Sequence, residues 1–406
     1  MLLDEQTNRS VIDGMRAIGI VLVICFHVTI GLATLLESDS IQGYVDTLPS
    51  VINIMWQALG SEVIFLFSGF LLSYLLMREL LRSGSIDVRD FYLRRLSRII
   101  PLYLIALALY SLVRDFSPLE FLLNLLFVSQ IFDATTIVPV GWSLEVLVQS
   151  YLLLPFVVLL FLRSNHPIRF CSAAIAGFLA IRYFAFAADP ASYTTPIYAL
   201  FAGTDTTEVQ DKAYYLLIYR ATPFLLGFLV AYLVVHKDEM LRAVFERPGM
   251  TPLLLLLSLL TVVGSGFLPV QDSQSRLYAW SGDQFWLWFW TLQRFIFSIG
   301  IALFALCTWY GKSPLIEPLL KVSQWRVWAR ISHNIYSIYL FHPVFLIPSA
   351  ALAFRTIEKE QVMPIHLFEV FATIVLATLF ATLFGGVVTR FVELPAQGWI
   401  RKRFGA

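Results

Sequence analysis

Arg16 and His27 stand eleven residues apart, and the run between them, Ala17 to Phe26, carries no charge. On a helix this spacing sets the two about 20° apart around the axis and about 16.5 Å apart along it. One face then carries a guanidinium near one end and an imidazole about three turns deeper. A neutral imidazole accepts protons near neutral pH, as a general base acting on an alcohol must. A plainer reading has Arg16 snorkelling to an interface and His27 hydrogen-bonded inside a helix bundle. Further on, Arg94, Arg95 and Arg98 crowd one short stretch, and guanidinium forks suit the gripping of phosphate. Tyr339 and His342 lie three apart on one helical face, and Arg220 sits just ahead of Pro223. Cys25, Cys171 and Cys307 are too scattered for a disulfide framework or a metal motif, so no metal is expected.

The elements that must hold these residues are set by composition. Of 406 residues 58% are hydrophobic and only 14% charged, against about 25% charged in soluble domains. Mean hydropathy is +0.74. A water-soluble enzyme and a disordered chain are both excluded, and a net charge of +1 leaves no footprint for nucleic acid. The expected fold is an all-α integral membrane protein, one polytopic domain over 1–406. Asp4 and Glu5 occupy the place of a signal peptide's basic region, so the first apolar run is expected to be retained as a span.

A span needs about 20 apolar residues. Ten segments qualify, at 11–36, 53–77, 99–113 with its flanks, 141–163, 168–188, 213–235, 250–269, 285–309, 335–354 and 366–390. The stretch 119–132 is too short and is expected to be re-entrant or interfacial. With ten crossings, the connecting segments on the side of the termini hold 19 Lys and Arg residues, against 5 on the other side. The positive-inside rule therefore places both termini in the cytoplasm. Trp280, Trp286, Trp288 and Trp290, at the outer end of the 285–309 span, are expected to form an aromatic belt.

The sequence resembles the acyltransferase-3 family of membrane O-acyltransferases on six motifs in order. These are Arg16 and His27 within Ile12-Asp13-Gly14-Met15-Arg16-Ala17; Gly60 to Phe70, ending in Ser68-Gly69-Phe70; and Arg94-Arg95-Leu96-Ser97-Arg98-Ile99-Ile100-Pro101. The others are Gly141-Trp142-Ser143-Leu144 with Tyr151 and Pro155; Tyr339-Leu340-Phe341-His342-Pro343; and Glu393-Leu394-Pro395. Two positions depart from the pattern. Glu62 stands where an Asp is usual, and Leu147 where a Glu is usual. The nearest acid, Glu145, would point about 200° away around a helix.

The resemblance implies transfer of an acyl group, acetyl by default, from cytoplasmic acyl-CoA to a hydroxyl of a glycan or lipid-linked glycan acceptor, in a bacterial inner membrane and among its lipids. His27 would be the general base or, in a variant, carry the acyl group itself, with Arg16 as its partner in the motif. Arg94, Arg95 and Arg98 would bind the donor. Ser68, Trp142, Glu145, Tyr151, Arg220, Tyr339 and His342 would line the acceptor side or the cavity. Glu393 is expected to form a structural pair with Arg390 or with a neighbouring span. Two other classes stay open: a transporter that uses the buried charges as a path, and a shuttle that hands the acyl group to a separate transferase partner. The shuttle draws on the chain's ending at Ala406, just past the last expected span.

Overall fold

The computed structural model describes residues 6–33, 58–194, 208–266, 276–354 and 367–404. The expected outer loops at 37–50 and 355–365 lie outside the described residues, as do parts of those at 189–212 and 270–284 and the outermost residues of several expected spans. Among the described residues there is no strand. Ten principal helices are α1 (Gln6–Ala33), α2 (Gly60–Ser83), α3 (Val88–Tyr110), α4 (Gly141–Arg163), α5 (Pro167–Ala188), α6 (Thr222–His236), α7 (Met250–Gly266), α8 (Arg276–Tyr310), α9 (Ile335–Phe354) and α10 (Leu367–Val388). Each of the ten expected spans overlaps one of them.

Seven of these are long and apolar enough to cross a bilayer on their own: α1, α2, α4, α5, α8 from Gly282 onward, α9, and α10 with its continuation to Phe404. Joined to Asp238–Phe245 across a 97° bend, α7 makes an eighth. The two remaining helices differ for local reasons. α3 carries its arginines within the helix, so its apolar part is short. α6 has only 15 residues because Pro223 lies in its first turn, and the chain ahead of it is broken into Glu208–Tyr215 and Leu217–Arg220. A proline is tolerated there, since first-turn N–H groups have no helical partner anyway. The span expected at 213–235 is therefore an interrupted element. Leucines 253, 256, 257, 259 and 260 of α7 are exposed, as befits a surface facing lipid. The chain is a multi-pass, all-α membrane protein.

The segment at 119–132 does not form a long helix. Pro118–Leu125 is a short helix with a capping box between Ser117 and Glu120, and a 3₁₀ turn follows at Ser129–Phe132. Hydrogen bonds from Thr135 and Ser117 hold the Glu120 carboxyl down at about 2. Buried Asn124 donates to Thr135 O at 2.8 Å and accepts from Ile137 N at 3.0 Å, which folds the segment back on itself.

The close approach of α2 and α6 rests on two glycines. A Cβ at Gly69 would lie 2.5 Å from the carbonyl oxygen of Phe224, and one at Gly227 would collide with the backbone of Leu66 and Phe70. Small residues let membrane helices come this near. The approach sets Ser61 and Glu62 of α2 beside Arg220, just ahead of α6. Gly227→Val should force the two backbones apart, costing about 1–3 kcal/mol. The thermal midpoint of the detergent-solubilised protein should fall clearly below that of the wild type, whereas Gly177→Ala, where nothing lies within 4 Å of an added Cβ, should leave it in place.

Candidate active site

A narrow, partly open cavity with about 90 Å³ of free space runs into the bundle between α1, α2, α3, α4 and α9. Arg16, Arg95 and Arg98 line it, with Tyr151, Ser68 and Tyr339. Its walls are otherwise apolar side chains such as Ile64, Phe65, Leu144 and Leu147, with Ser61 and Ser143 adding hydroxyls. Six of the residues singled out in the sequence thus meet around one space. Its basic residues come from α1 and from the first three turns of α3; Tyr339 comes from the second turn of α9.

The three clustered arginines are not equivalent. Arg94 is committed to Asp90 at 2.5 Å and approaches Glu79 at 3.8 Å, and it does not line the cavity. Arg98 lies 3.7 Å from Glu393. Arg95 does line the cavity, and among the described residues its buried Nε finds no hydrogen-bond partner. Arg16 donates to Ser332 Oγ at 3.3 Å, and that hydroxyl donates to Asp13 Oδ1 at 2.7 Å. A second cavity, lined by Asp13, Arg16, Arg98, Arg330 and His333 among others, shares Arg16 and Arg98 with the first.

One turn beyond Tyr339, His342 is fully buried and faces His27. His342 Nε2 lies 3.2 Å from His27 Nδ1, and the ring centroids are 4.9 Å apart. Each Nδ1 also meets a backbone carbonyl: His27 that of Val23 at 2.8 Å, and His342 that of Tyr339 at 2.8 Å. Only an N–H can face a carbonyl at that distance, so both rings carry a proton on Nδ1. The Nδ1–H of His27 is then shared between Val23 O and the bare Nε2 of His342. The remaining lone pair of the pair is on His27 Nε2. Spacing alone had paired His342 with Tyr339 on one face and had not joined it to the first helix.

A third group is a buried charge cluster between α2, α6 and α8. Glu62 Oε1 lies 2.8 Å from Arg220 Nη1, as a charge contact rather than an aligned hydrogen bond, and accepts from Arg294 Nη1 at 2.9 Å. Arg220 Nη2 donates to Ser61 Oγ at 2.8 Å. Its guanidinium sits over Phe65, Trp142 and Tyr214 at 5.2 to 5.5 Å from the ring centroids. Arg182 donates to the carbonyls of Trp290 and Ala213, both at 3.0 Å. Arg220 is thus locked in the interior with a side chain 0% exposed, and does not snorkel outward. Trp142 is part of its aromatic surround rather than of the cavity. Among the four clustered tryptophans, Trp280 and Trp288 are exposed as a belt requires, but Trp286 and Trp290 are buried.

Glu145 belongs elsewhere again. It is buried, accepts from Ser129 Oγ and from Gln130 N at 3.1 Å, and so ties α4 to the re-entrant segment. Glu393 accepts from Ser337 and Thr389 at 3.0 and 3.1 Å, and from Gln397 at 3.1 Å, within a π-helical turn at Thr389–Glu393. Of the two pairings expected for it, the neighbouring span supplies the partner, Arg98; Arg390 is exposed. Glu62 as a charge anchor, Arg182 and Arg294 were missed as site residues, although arginines inside spans signal that in-span acceptors must exist. Among the described residues no three His, Cys, Asp or Glu side chains are grouped as a metal would need.

The bundle thus holds a cavity basic at one end, with a histidine pair beyond the other. The acyltransferase domain matches residues 9–390, and the chain belongs to the acyltransferase-3 family. It is 24% identical over 421 aligned positions to the O-acetyltransferase OatA of Staphylococcus aureus strain NCTC 8325 / PS 47, and equally to that of strain COL. The match takes in 95% of this chain and 57% of the relative, so the chain spans little more than half the length of the proteins it resembles. No solved structure matches it.

Removing the carboxylate of Glu62 would leave two buried guanidinium groups without their shared counter-ion. Breaking such a pair costs about 3–5 kcal/mol. Glu62→Gln should therefore lose most of its folded yield in detergent, measured by size-exclusion chromatography, while Glu120→Gln, at the protein's edge, should be recovered much like the wild type.

Proposed function

We propose that the chain is an integral-membrane O-acetyltransferase, one polytopic domain that moves an acetyl group from cytoplasmic acetyl-CoA to a hydroxyl of a glycan or lipid-linked glycan. The observation that carries this reading is the cavity that joins Arg16, Arg95 and Arg98 to Tyr339, one turn short of the His27–His342 pair. Guanidinium groups at its mouth suit the phosphates of a nucleotide-bearing thioester. The apolar walls suit a slender uncharged arm. Charge distribution over the connecting segments supports a cytoplasmic mouth and cytoplasmic termini, and the name of the Staphylococcus relatives, O-acetyltransferase, supports acetyl as the group and a hydroxyl oxygen as its acceptor.

In this reading the phosphates rest against Arg95, Arg98 and Arg16, and the thioester reaches inward along α2 and α9. His27 Nε2 takes the proton of the acceptor hydroxyl. The oxygen bonds to the thioester carbon, the carbon–sulfur bond breaks, and the departing sulfur recovers the proton from the imidazolium. The products are an acetyl ester and free CoA thiol, with no change of oxidation state. A second reading, in which the acetyl group passes to a separate partner, is favoured by the relatives' extending well beyond the matched region.

Membrane vesicles from a host producing the chain, given radiolabelled acetyl-CoA, should accumulate label in a non-CoA, alkali-labile fraction. His27→Ala should lower that rate by about 10²–10⁴-fold, the usual worth of a general base. Unchanged labelling in this variant would end the base reading. Arg95→Ala should raise KM for acetyl-CoA more than Arg94→Ala does, because Arg94 is occupied by Asp90. Label that appears only when a second membrane protein is co-produced would favour the hand-over reading.

A further inference from the structure

We infer that His342 is a positioning residue for His27, a neutral imidazole standing where other histidine bases have a carboxylate. The inference rests on the proposed role of His27 as base and adds to it the group that orients it. His342 is 0% exposed, and its ring meets the backbone carbonyls of Tyr339 and Ile338 within its own helix and the ring of His27 across the bundle. Its Nδ1–H is fixed on Tyr339 O at 2.8 Å, which leaves Nε2 without a hydrogen and aimed at His27 Nδ1, 3.2 Å away.

The consequence for His27 is directional. Its Nδ1–H is held by two acceptors, Val23 O from its own helix and His342 Nε2 from α9. The carbonyl alone fixes the ring to α1. The second acceptor adds a tether across the bundle, fixing the rotation of the ring relative to the cavity wall that Tyr339 forms. It also fixes the tautomer, so that the basic lone pair is on Nε2. When Nε2 takes a proton, the charge spreads over both nitrogens and the Nδ1–H bond to His342 strengthens. The proton stays on His27 until it is returned to sulfur. His342 cannot pass it on, because its other nitrogen already donates to a carbonyl. The role matches that of the third member of a catalytic triad, which holds the base in one tautomer and stabilises its charged form.

The distinguishing pair of variants is His342→Asn and His342→Gln. An asparagine amide reaches the position of Nδ1 and can keep the Tyr339 contact, but it presents nothing at the position of Nε2. A glutamine reaches that far and can offer its carbonyl oxygen to His27 Nδ1–H. In the vesicle assay with radiolabelled acetyl-CoA, rates are normalised to protein that elutes as a single species from detergent. His342→Asn should lower the maximal rate about 10–100-fold, as losing a group that orients a functional histidine does, with KM for acetyl-CoA unchanged. His342→Gln should restore most of the lost rate. The inference is overturned if the two variants behave alike, whether both active or both inactive, or if KM for acetyl-CoA rises in either. His27→Ala is run in parallel. Activity retained there rejects the base reading itself, whereas its loss together with identical Asn and Gln variants rejects only the part given to His342.

Discussion

A carboxylate placed in hydrocarbon must be matched by positive charge close at hand, and Glu62 is matched twice. It draws Arg220, just ahead of α6, and Arg294 of α8 onto α2. The cost of burying any one of these charges alone is several kcal/mol, so three parts of the chain are bound to one another by what each would lose on separation. Ser61, the residue before Glu62, both lines the cavity and accepts from Arg220. The inner wall of the cavity is therefore the outer surface of the charge cluster. The glycine contact between α2 and α6 makes this possible, because an ordinary helix separation would leave Arg220 reaching across a gap.

The opposite wall is held by hydroxyl groups rather than charges. Tyr336 of α9 donates to the carbonyl of Ile99 at 2.8 Å, and Tyr110 of α3 donates to that of Leu340 at 3.2 Å. These two bonds run in opposite directions between the same helices and set their register. Tyr103 of α3 binds the re-entrant segment through Asn124 O at 3.0 Å. In a bilayer each such bond has no competing water, and an unsatisfied hydroxyl or carbonyl would be costly. The result places Arg95 and Arg98 at one end of the cavity and Tyr339 at the other. Ser143 adds a bond from α4 to the Tyr339 hydroxyl, so the inner end of the cavity is pinned from two sides.

The bundle itself was legible in the sequence, since long apolar runs in a lipid setting admit only helices. That 119–132 forms no long helix followed from length alone, whereas the span expected at 213–235 is interrupted ahead of Pro223. What the sequence could not supply was pairing between distant helices. His27 and His342 are separated by 315 positions, and a helical period says which face a residue occupies without saying what that face meets. Glu145 shows the same limit. Its neighbourhood in the chain suggested a site residue, whereas its partners, Ser129 and Gln130, lie on a segment whose path depends on Asn124 and Thr135. Arg182, Arg220 and Arg294 were visible as charges within spans, but their common dependence on Glu62 and on backbone carbonyls is a matter of three-dimensional packing.

The arginines of α3 make the point most sharply, because residue type does not rank them. Arg94 and Arg98 project from α3 into two different acid environments, and Arg95 falls between them. Asp90 lies one turn before Arg94 on the same helix, the spacing at which opposite charges meet, so its engagement could be read from local sequence. Arg98 depends instead on Glu393, which reaches it only because the π-helical turn at Thr389–Glu393 inserts an extra residue into the helical course and turns the carboxylate toward α3 and Ser337. A guanidinium held by a carboxylate gives up part of its hold on an incoming anion. Arg95, with no such carboxylate and a buried nitrogen left without an acceptor among the described residues, keeps its capacity for phosphate intact. Three neighbouring arginines thus divide into one that braces the helix end, one that is steered by the last helix, and one left open toward the cavity.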